Sequence, residues 1–550
     1  MPGHVEVNSV EQSDEFWTRM PGRGLGRRDF LRGIAATGAV AGAGGLLAAC
    51  GGSSSSKSPA AAASSQAPRP GGNLKVGLAG GSTADTVDPH QGLTYLDTGR
   101  FEALYQPLVK LDKQAKVEFV LAESITPHNG SLSEWVVKVR PGVTFNNGKP
   151  LTAQDVVFTI NRIAKGSGGV PFSGLSFLGP IDVKGVKAVD KMTVLIPMKR
   201  PFGSFVDSLA GAWYYLYVVP TGFNPHAPIG TGPFVYQSFT PGERSVFIKN
   251  KNYWKPGLPY LDTLTMIDFS DNAAVQDALV TNSIQAAGQL DPPQLAALAN
   301  TSGVRAVASR TGQFKPFTMR VDQRPFSDPD VRQAMRLMVD RQQLINSALD
   351  GYGVIASDVF APYDINFDAS LHRQQDIPQA KFLLKKAGQE NLTVTLTTSA
   401  IATGTVAMAT VLAEQAKAAG VTINLKTVDP GVFFGSNYLQ WNFSQDYYSY
   451  APYLSQVSQS FLGDVAPFNE THTNNAHYTS LYWEANATAD QGKRKQILYE
   501  MQQFDFTQGA YIIPTFMDTL DAYSAKLAGY TTSKVGESLS NWDFEHNYFV

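Results

Sequence analysis

Leu392-Thr393-Val394-Thr395-Leu396 and, further on, Val421-Thr422-Ile423-Asn424-Leu425 decide the fold class of this chain. In both stretches apolar residues alternate with polar ones, the pattern of a strand with one buried face. Between them, Gly404 to Ala419 reads as a helix of about four turns that ends at Gly420. Strand, helix, strand is a βαβ unit, and such crossovers are right-handed almost without exception. The C-terminal half is therefore expected to be α/β with at least one parallel strand pair.

Upstream of this unit, Ser327-Asp328-Pro329-Asp330 has the pattern of a capped helix start with proline in the first turn. Val331, Ala334, Met335, Met338 and Val339 would form its buried stripe, with the methionines as core filler. Nearer the N-terminus, Thr152-Ala153-Gln154-Asp155 resembles a capping box. Val156, Val157, Ile160 and Ile163 follow at helical spacing, which predicts an amphipathic helix over 153–164. Leu74, Val76 and Leu78 alternate as a strand does, and a second strand is expected at Trp135–Val139. Residues 166–180 read as a loop, with short strands around 183–197. Pro228 to Phe234 is a rigid, turn-rich passage; its Gly230-Thr231-Gly232 lacks the Lys-Ser/Thr that would complete a phosphate-binding loop.

Downstream of the unit the chemistry is densest. Fourteen aromatics fall between Phe433 and Trp483, against 11% aromatics for the whole chain. Aromatic faces with polar tips suit a pocket that grips a mixed apolar and polar ligand, and they also fill cores.

The N-terminal stretch supplies an address. Arg27-Arg28 precedes a Gly/Ala-rich apolar segment that ends in Leu47-Ala48-Ala49-Cys50. The paired arginines resemble a twin-arginine export signal, and Leu-Ala-Ala-Cys a bacterial lipobox whose cysteine is lipidated. Cys50 is the single cysteine of the chain, so no internal disulfide is expected. Gly33 to Ala49 is short and poor in large apolar residues for a membrane span. Gly51 to Pro70 is mostly Ser, Ala, Gly and Pro, a flexible tether with a reach of roughly 25 Å. The chain beyond the tether is long enough for two or more lobes. A net charge of −2 gives no support for nucleic-acid binding.

Several ordered stretches together resemble the extracytoplasmic solute-binding proteins of the dipeptide/oligopeptide/nickel class (family 5) that serve ATP-binding-cassette (ABC) importers. They are Asp88-Pro89-His90, Leu121 to Ser124, Val139 to Val156, Gly230 to Phe234, Asn252-Tyr253-Trp254 and Arg324 to Ala334. The resemblance implies an α/β fold, two-lobed and periplasmic-binding-protein-like (type II), with an extra subdomain in the first lobe and a hinge between lobes. Projected here, residues 1–49 are the export signal and 50–72 the lipidated tether. Residues 73–110, 228–316 and 520–550 form lobe I, 111–227 the extra subdomain, and 317–519 lobe II.

The resemblance also implies a site. Phe443-Ser444-Gln445-Asp446-Tyr447 is similar to the family segment in which an aromatic precedes, by three residues, an aspartate that pairs with a peptide's N-terminal ammonium. Asp446 is the candidate anchor, with Phe443, Trp441 and Tyr447 around it. The family's Pro or Glu-Pro after Asp-Tyr is replaced by Tyr448-Ser449-Tyr450, so a local loop-capping role for Asp446 stays open. Tyr95 and Phe516 are expected to face the same cleft. The function implied is capture of a small solute, a short peptide foremost, and delivery to ABC permease subunits in the cytoplasmic membrane. The protein would be a monomer held by the lipid on Cys50 at the outer face of that membrane, with no cofactor. Nickel or another metal chelate, haem, a sugar or an opine are the alternatives within the family. Among eight histidines only His472 and His477 lie close, a poor helical pair without a third ligand. An exported enzyme is the alternative outside the family, but no nucleophile elbow, His-Glu-x-x-His or cofactor loop is present.

Overall fold

The computed structural model describes residues 67–92, 94–169, 171–463 and 466–550. The expected export signal with Arg27, Arg28 and Cys50, and the tether up to residue 66, lie outside the described residues, as does Leu93.

Two sheets organise the body, the first drawing strands from both ends of the chain and the second from residues between 317 and 512. The first runs in the order Phe234–Thr240, Arg244–Lys249, Thr263–Phe269, Asn73–Ala79, Ala286–Ala287, Thr515–Ser524, Val304–Phe314, and Gly353–Ile355 adds to Thr515–Ser524. Leu74, Val76 and Leu78 are fully buried in it, as their alternation requires. The second runs Thr422–Thr427, Thr393–Thr398, Phe443–Gln445, Phe317–Met319, Tyr511–Ile512. Here Thr393–Thr398 and Thr422–Thr427 pair in parallel, and helix Thr405–Ala416 connects them. The predicted βαβ unit is therefore present. A third sheet, Ala122–His128, Ser131–Val139, Thr193–Pro197 and Lys187–Asp190, belongs to the inserted region between the first two strands of the main sheet.

The chain passes from the first sheet to the second at Lys315-Pro316 and returns at Ile513-Pro514. Two side-by-side extended crossings bend more easily than they twist. At the first, the buried Lys315 Nζ donates to Thr403 O at 2.6 Å. Gly353–Ile355 lies inside the 317–519 segment, yet it hydrogen-bonds the first sheet through Thr515–Met517. Sheet membership near the crossings thus does not follow sequence order.

Local signals hold in detail. Helix Ala153–Lys165 starts with both halves of its capping box, Thr152 and Asp155. Helix Pro329–Leu337 is capped by Asp328, whose carboxylate accepts from Asp330 N at 2.8 Å. Its stripe of Val331, Ala334, Met335, Met338 and Val339 is buried in the second lobe's core. The loop expected over 166–180 contains one short helix, Gly174–Phe177.

Gly230 and Gly232 have a packing reason. Gly232 N donates to Leu104 O at 3.0 Å, and a Cβ on Gly230 would sit 2.0 Å from that same oxygen. The passage presses against the end of helix Tyr95–Leu104, so a side chain would force backbone apart. Gly230→Ala should cost about 1–3 kcal/mol in urea unfolding; an unchanged midpoint would show that the contact relaxes freely.

Candidate functional site

Phe443–Gln445 is the middle strand of the second sheet, and Asp446 follows directly at its C-terminal end. In open α/β sheets that is where ligands bind. Asp446 N donates to Pro316 O at 3.3 Å, which ties the residue to the first crossing. Its Oδ1 accepts from Tyr447 N at 2.7 Å and its Oδ2 from Tyr438 Oη at 2.8 Å.

Beyond Asp446 opens a cavity of about 360 Å³ between elements of the two sheets. That volume lies within the roughly 300–1,000 Å³ of small-molecule sites. Aromatics dominate its wall: Tyr95, Tyr214, Tyr215, Phe434, Tyr438, Tyr447, Tyr448 and Phe468. Tyr95 is the first residue of helix Tyr95–Leu104, placed by Thr94, whose Oγ1 accepts from Asp97 N at 3.1 Å. Its ring meets Tyr447 at 5.7 Å between centroids, an aromatic contact reaching from one side of the cleft to the other. Tyr214 and Tyr215 come from the turn Trp213–Tyr215, where Trp213 Nε1 donates to Glu102 Oε1 at 2.8 Å and Tyr215 stacks on Phe177.

The far wall carries a second carboxylate, Glu537. Its Oε1 accepts from Ser449 Oγ at 2.7 Å and its Oε2 from Trp542 Nε1 at 2.9 Å. The segment behind it is unusual. Leu539, Ser540, Asn541 and Trp542 have φ of 49°, 63°, 65° and 56°, a run of non-glycine residues in the left-handed region. Such a conformation costs about 1–2 kcal/mol per residue and persists only where the surroundings hold it. Asp521 does so, accepting from Ser538 Oγ and from Leu539 N at 2.8 Å. The strained turn presents Trp542 to Glu537.

Behind Asp446 stands a second acid. Glu470 accepts from Tyr511 Oη at 2.6 Å and from Tyr448 Oη, and lies within hydrogen-bonding reach of Asp446. Burial, then the Asp446 charge, hold the Glu470 carboxyl protonated well above its ordinary range. Burial also raises Asp446, opposed by hydrogen bonds from Glu470, Tyr447 N and Tyr438. Two facing buried acids do not readily ionise together, so the pair holds a proton between them, and Glu470 is the more strongly raised of the two. Glu537 is likewise raised by burial.

The shared proton has a measurable consequence. With Glu470 protonated when folded and ionised when unfolded, the natural protein loses stability as pH rises above 4.5. Gln in its place has no proton to lose. The stability of Glu470→Gln relative to the natural protein should therefore rise with pH, by up to about 1.4 kcal/mol per unit. Urea unfolding from about pH 5 to about pH 9 checks this; a pH-independent difference would mean an ionised Glu470.

Of the residues read from the sequence, Asp446, Tyr447 and Tyr95 line the cavity. Three others do not. Phe443 is 1% exposed, packed against Phe317 and Phe326 in the second lobe's core, because strand pairing turns its side chain inward. Trp441 stacks on Phe433 and donates to Phe433 O at 3.2 Å, bracing the loop outside the cavity. Phe516 pairs with Phe314 and Val354 in the first sheet and is buried there. These three are structural rather than cavity-lining. The early Asp-Pro-His motif is structural as well: Asp88 and His90 both engage Arg162, and His90 Nε2 meets Tyr217 O at 2.9 Å.

Sequence reading missed Tyr214, Tyr215, Gln459, Glu470 and Glu537. The Trp213-Tyr214-Tyr215 run was a visible signal; the others stand in unremarkable local sequence. His472 bonds Leu439 O and His477 bonds Glu500, two separate contacts that do not converge.

Two sheets joined by a pair of crossings, with a lined cavity between them, define a two-lobed α/β protein of the type II periplasmic-binding class. The chain belongs to the bacterial extracellular solute-binding proteins, family 5, whose middle-region model matches residues 116–475. It is 31% identical over 327 residues to the glutathione-binding protein of Escherichia coli O6:K15:H31. That match covers 58% of this chain and 62% of the relative, so the chain spans under two thirds of that relative's length. Two solved structures show the same fold. The PBP AgaA of A. tumefacien R10, in complex with agropinic acid, gives a TM-score of 0.76 at 22% identity, covering 87% of this chain and 99% of that one. The Helicobacter pylori periplasmic binding protein DppA, in complex with the peptide STSA, gives 0.76 at 19%, covering 88% and 98%.

Proposed function

We propose that this protein captures a small amine-bearing, peptide-like solute in the interlobe cavity and hands it to an ABC permease in the membrane. The observation that carries this reading is Asp446: a buried carboxylate at the strand end, facing an aromatic cavity, with a protonated Glu470 behind it. One negative charge among rings is suited to an ammonium, which gains charge-assisted hydrogen bonds and cation–π contact together. A solute touching both walls would favour the closed arrangement, a population shift that a permease can read. No cofactor and no chemical step are needed in this reading, and the relatives named above are binding proteins.

Calorimetric titration of the purified protein tests the reading. A free-amine apolar dipeptide amide should bind, and its N-acetylated form should bind at least about tenfold more weakly. Equal binding of both would remove the ammonium role, and turnover of the peptide would make the protein an enzyme.

The division into a first lobe that includes 73–110 and 228–316, an extra subdomain of 111–227 and a second lobe from 317 is part of this proposal, with the expected boundary at 519/520 moved to the return at Ile513-Pro514, because all of Thr515–Ser524 pairs in the first sheet. So is a lipid anchor at Cys50, read from the sequence alone. Cys50→Ser should move the protein from the membrane fraction to the soluble envelope fraction; continued membrane retention would refute the anchor.

A further inference from the structure

The charge balance of the cavity says more about the solute than the fold does. Among the described residues that line it, two are carboxylic acids, Asp446 and Glu537, and none is Lys, Arg or His. No base stands among the main influences on these acids either. Burial and hydrogen bonding dominate at Asp446 and Glu537, and the charge named with them, on Glu537, is that of Glu102. Tyr447, Tyr215 and Tyr95 feel carboxylates and neighbouring tyrosines. A ligand carboxylate placed here would lose its water and meet no cation, the costliest way to bury a charge.

A second observation shows what the ligand does offer. Gln459 lies on helix Tyr453–Ser460, lines the cavity and is 2% exposed, yet its Nε2 has no hydrogen-bond partner. A buried amide donor left unpaired costs about 1–3 kcal/mol, and the large majority of such groups in folded proteins are paired. Nε2 itself is shielded from the cavity that the residue lines, so a bound solute supplies the missing acceptor once the Gln459 side chain rotates toward it. That acceptor need not be charged: an amide N–H is matched by a neutral carbonyl oxygen. At the opposite wall both oxygens of Glu537 are already engaged by Ser449 and Trp542, so Glu537 calls for no particular donor from the solute.

We propose that the cavity selects a cationic amine whose carbonyl end is neutral, an amide, ester or lactam, with the ammonium on Asp446 and the carbonyl on Gln459 Nε2, and that it rejects free carboxylates. This rests on the ammonium reading of Asp446 and narrows it. Free dipeptides, which are zwitterions, become poor ligands. Glutathione, with one ammonium and two carboxylates, becomes a poorer one, although relatives of this chain are named for binding it.

Calorimetry with the full chain at neutral pH decides it, using four probes: Leu-Phe amide, Leu-Phe free acid, N-acetyl-Leu-Phe amide and glutathione. The amide should bind at least about tenfold more tightly than the free acid, the cost of one desolvated, unpaired carboxylate. Glutathione should show no heat of binding. Free acid binding as well as the amide, or glutathione binding, would overturn the selectivity while leaving Asp446 as anchor. N-acetylated amide binding as well as the free amine would overturn the anchor itself. No binding of Leu-Phe amide would overturn both. Gln459→Leu should weaken the amide about tenfold but leave 2-phenylethylamine, which has no carbonyl, within about twofold. Equal losses for both would remove the carbonyl role. Unchanged thermal unfolding of Gln459→Leu confirms that the fold is intact, and the same two titrations on Gln459→Met give the comparison if the Leu variant is unstable.

Discussion

Asp446→Asn is expected to weaken binding of a free-amine solute by about 30- to 150-fold, equivalent to about 2–3 kcal/mol, with little change in its N-acetylated counterpart. The substitution keeps size and a carbonyl oxygen for Tyr438 Oη or Tyr447 N to reach. What it removes is the single charge of the acid pair. Glu470, no longer facing a carboxylate, loses one of the influences that hold its proton, and burial alone still keeps it neutral. The ammonium is then left among aromatic rings with no counter-charge, and only the cation–π part of its attraction survives. Matched calorimetric titrations measure the effect. Equal losses for free and acetylated amines would show that Asp446 shapes the cavity instead of holding a charge.

The largest expected effect on stability comes from outside the cavity wall, at Arg100. Its guanidinium is fully buried and meets three carboxylates: Nη1 reaches Asp85 at 2.8 Å and Asp97 at 2.9 Å, and Nη2 reaches Asp268 at 2.8 Å. Nε donates to Ser245 at 2.7 Å. Arg100 lies on helix Tyr95–Leu104, so this cluster also fixes the helix that carries Tyr95 to the cleft. Arg100→Met fills similar space but leaves three acids buried together without a cation. Removing one member of a buried ion cluster costs about 3–5 kcal/mol. In the variant, desolvation and mutual repulsion raise the carboxyl pKa values above their unfolded ones. Stability lost at neutral pH should therefore return as pH falls through those raised values. Urea unfolding at about pH 7 and about pH 5 measures both parts. A loss under about 1 kcal/mol, or one independent of pH, would mean the acids are solvated or satisfied elsewhere.

The two effects separate what the sequence made legible from what it did not. Periodic segments were legible: the strand around Val76, the helix behind Thr152 and the βαβ unit after Leu392 each announce a buried face, and burial is what folding enforces. Asp446 was legible only through the likeness of Phe443 to Tyr447 to a family segment, and it does line the cavity. The wall opposite was not. Glu537 reaches the cavity through a left-handed turn at Leu539–Trp542 that no local preference favours, held by Asp521 from a distant strand. Glu470 and Gln459 matter through what surrounds them in space: a second carboxyl in one case, an absent partner in the other. Phe443 and Trp441 misled because an aromatic in a strand next to a site looks the same from the sequence whether it faces ligand or core. Only the pairing of Phe443–Gln445 with Phe317–Met319 decides that.

An amine-bearing solute lying against Asp446 is the central claim, and the solute carried by the natural protein tests it most directly. Native mass spectrometry of the protein purified without denaturation should show one small solute per chain. Treating the released solute with acetic anhydride should add one acetyl group to a basic amine, and the acetylated product should fail to rebind. A bound solute with no reactive amine, or one that rebinds unchanged after acetylation, would contradict the claim.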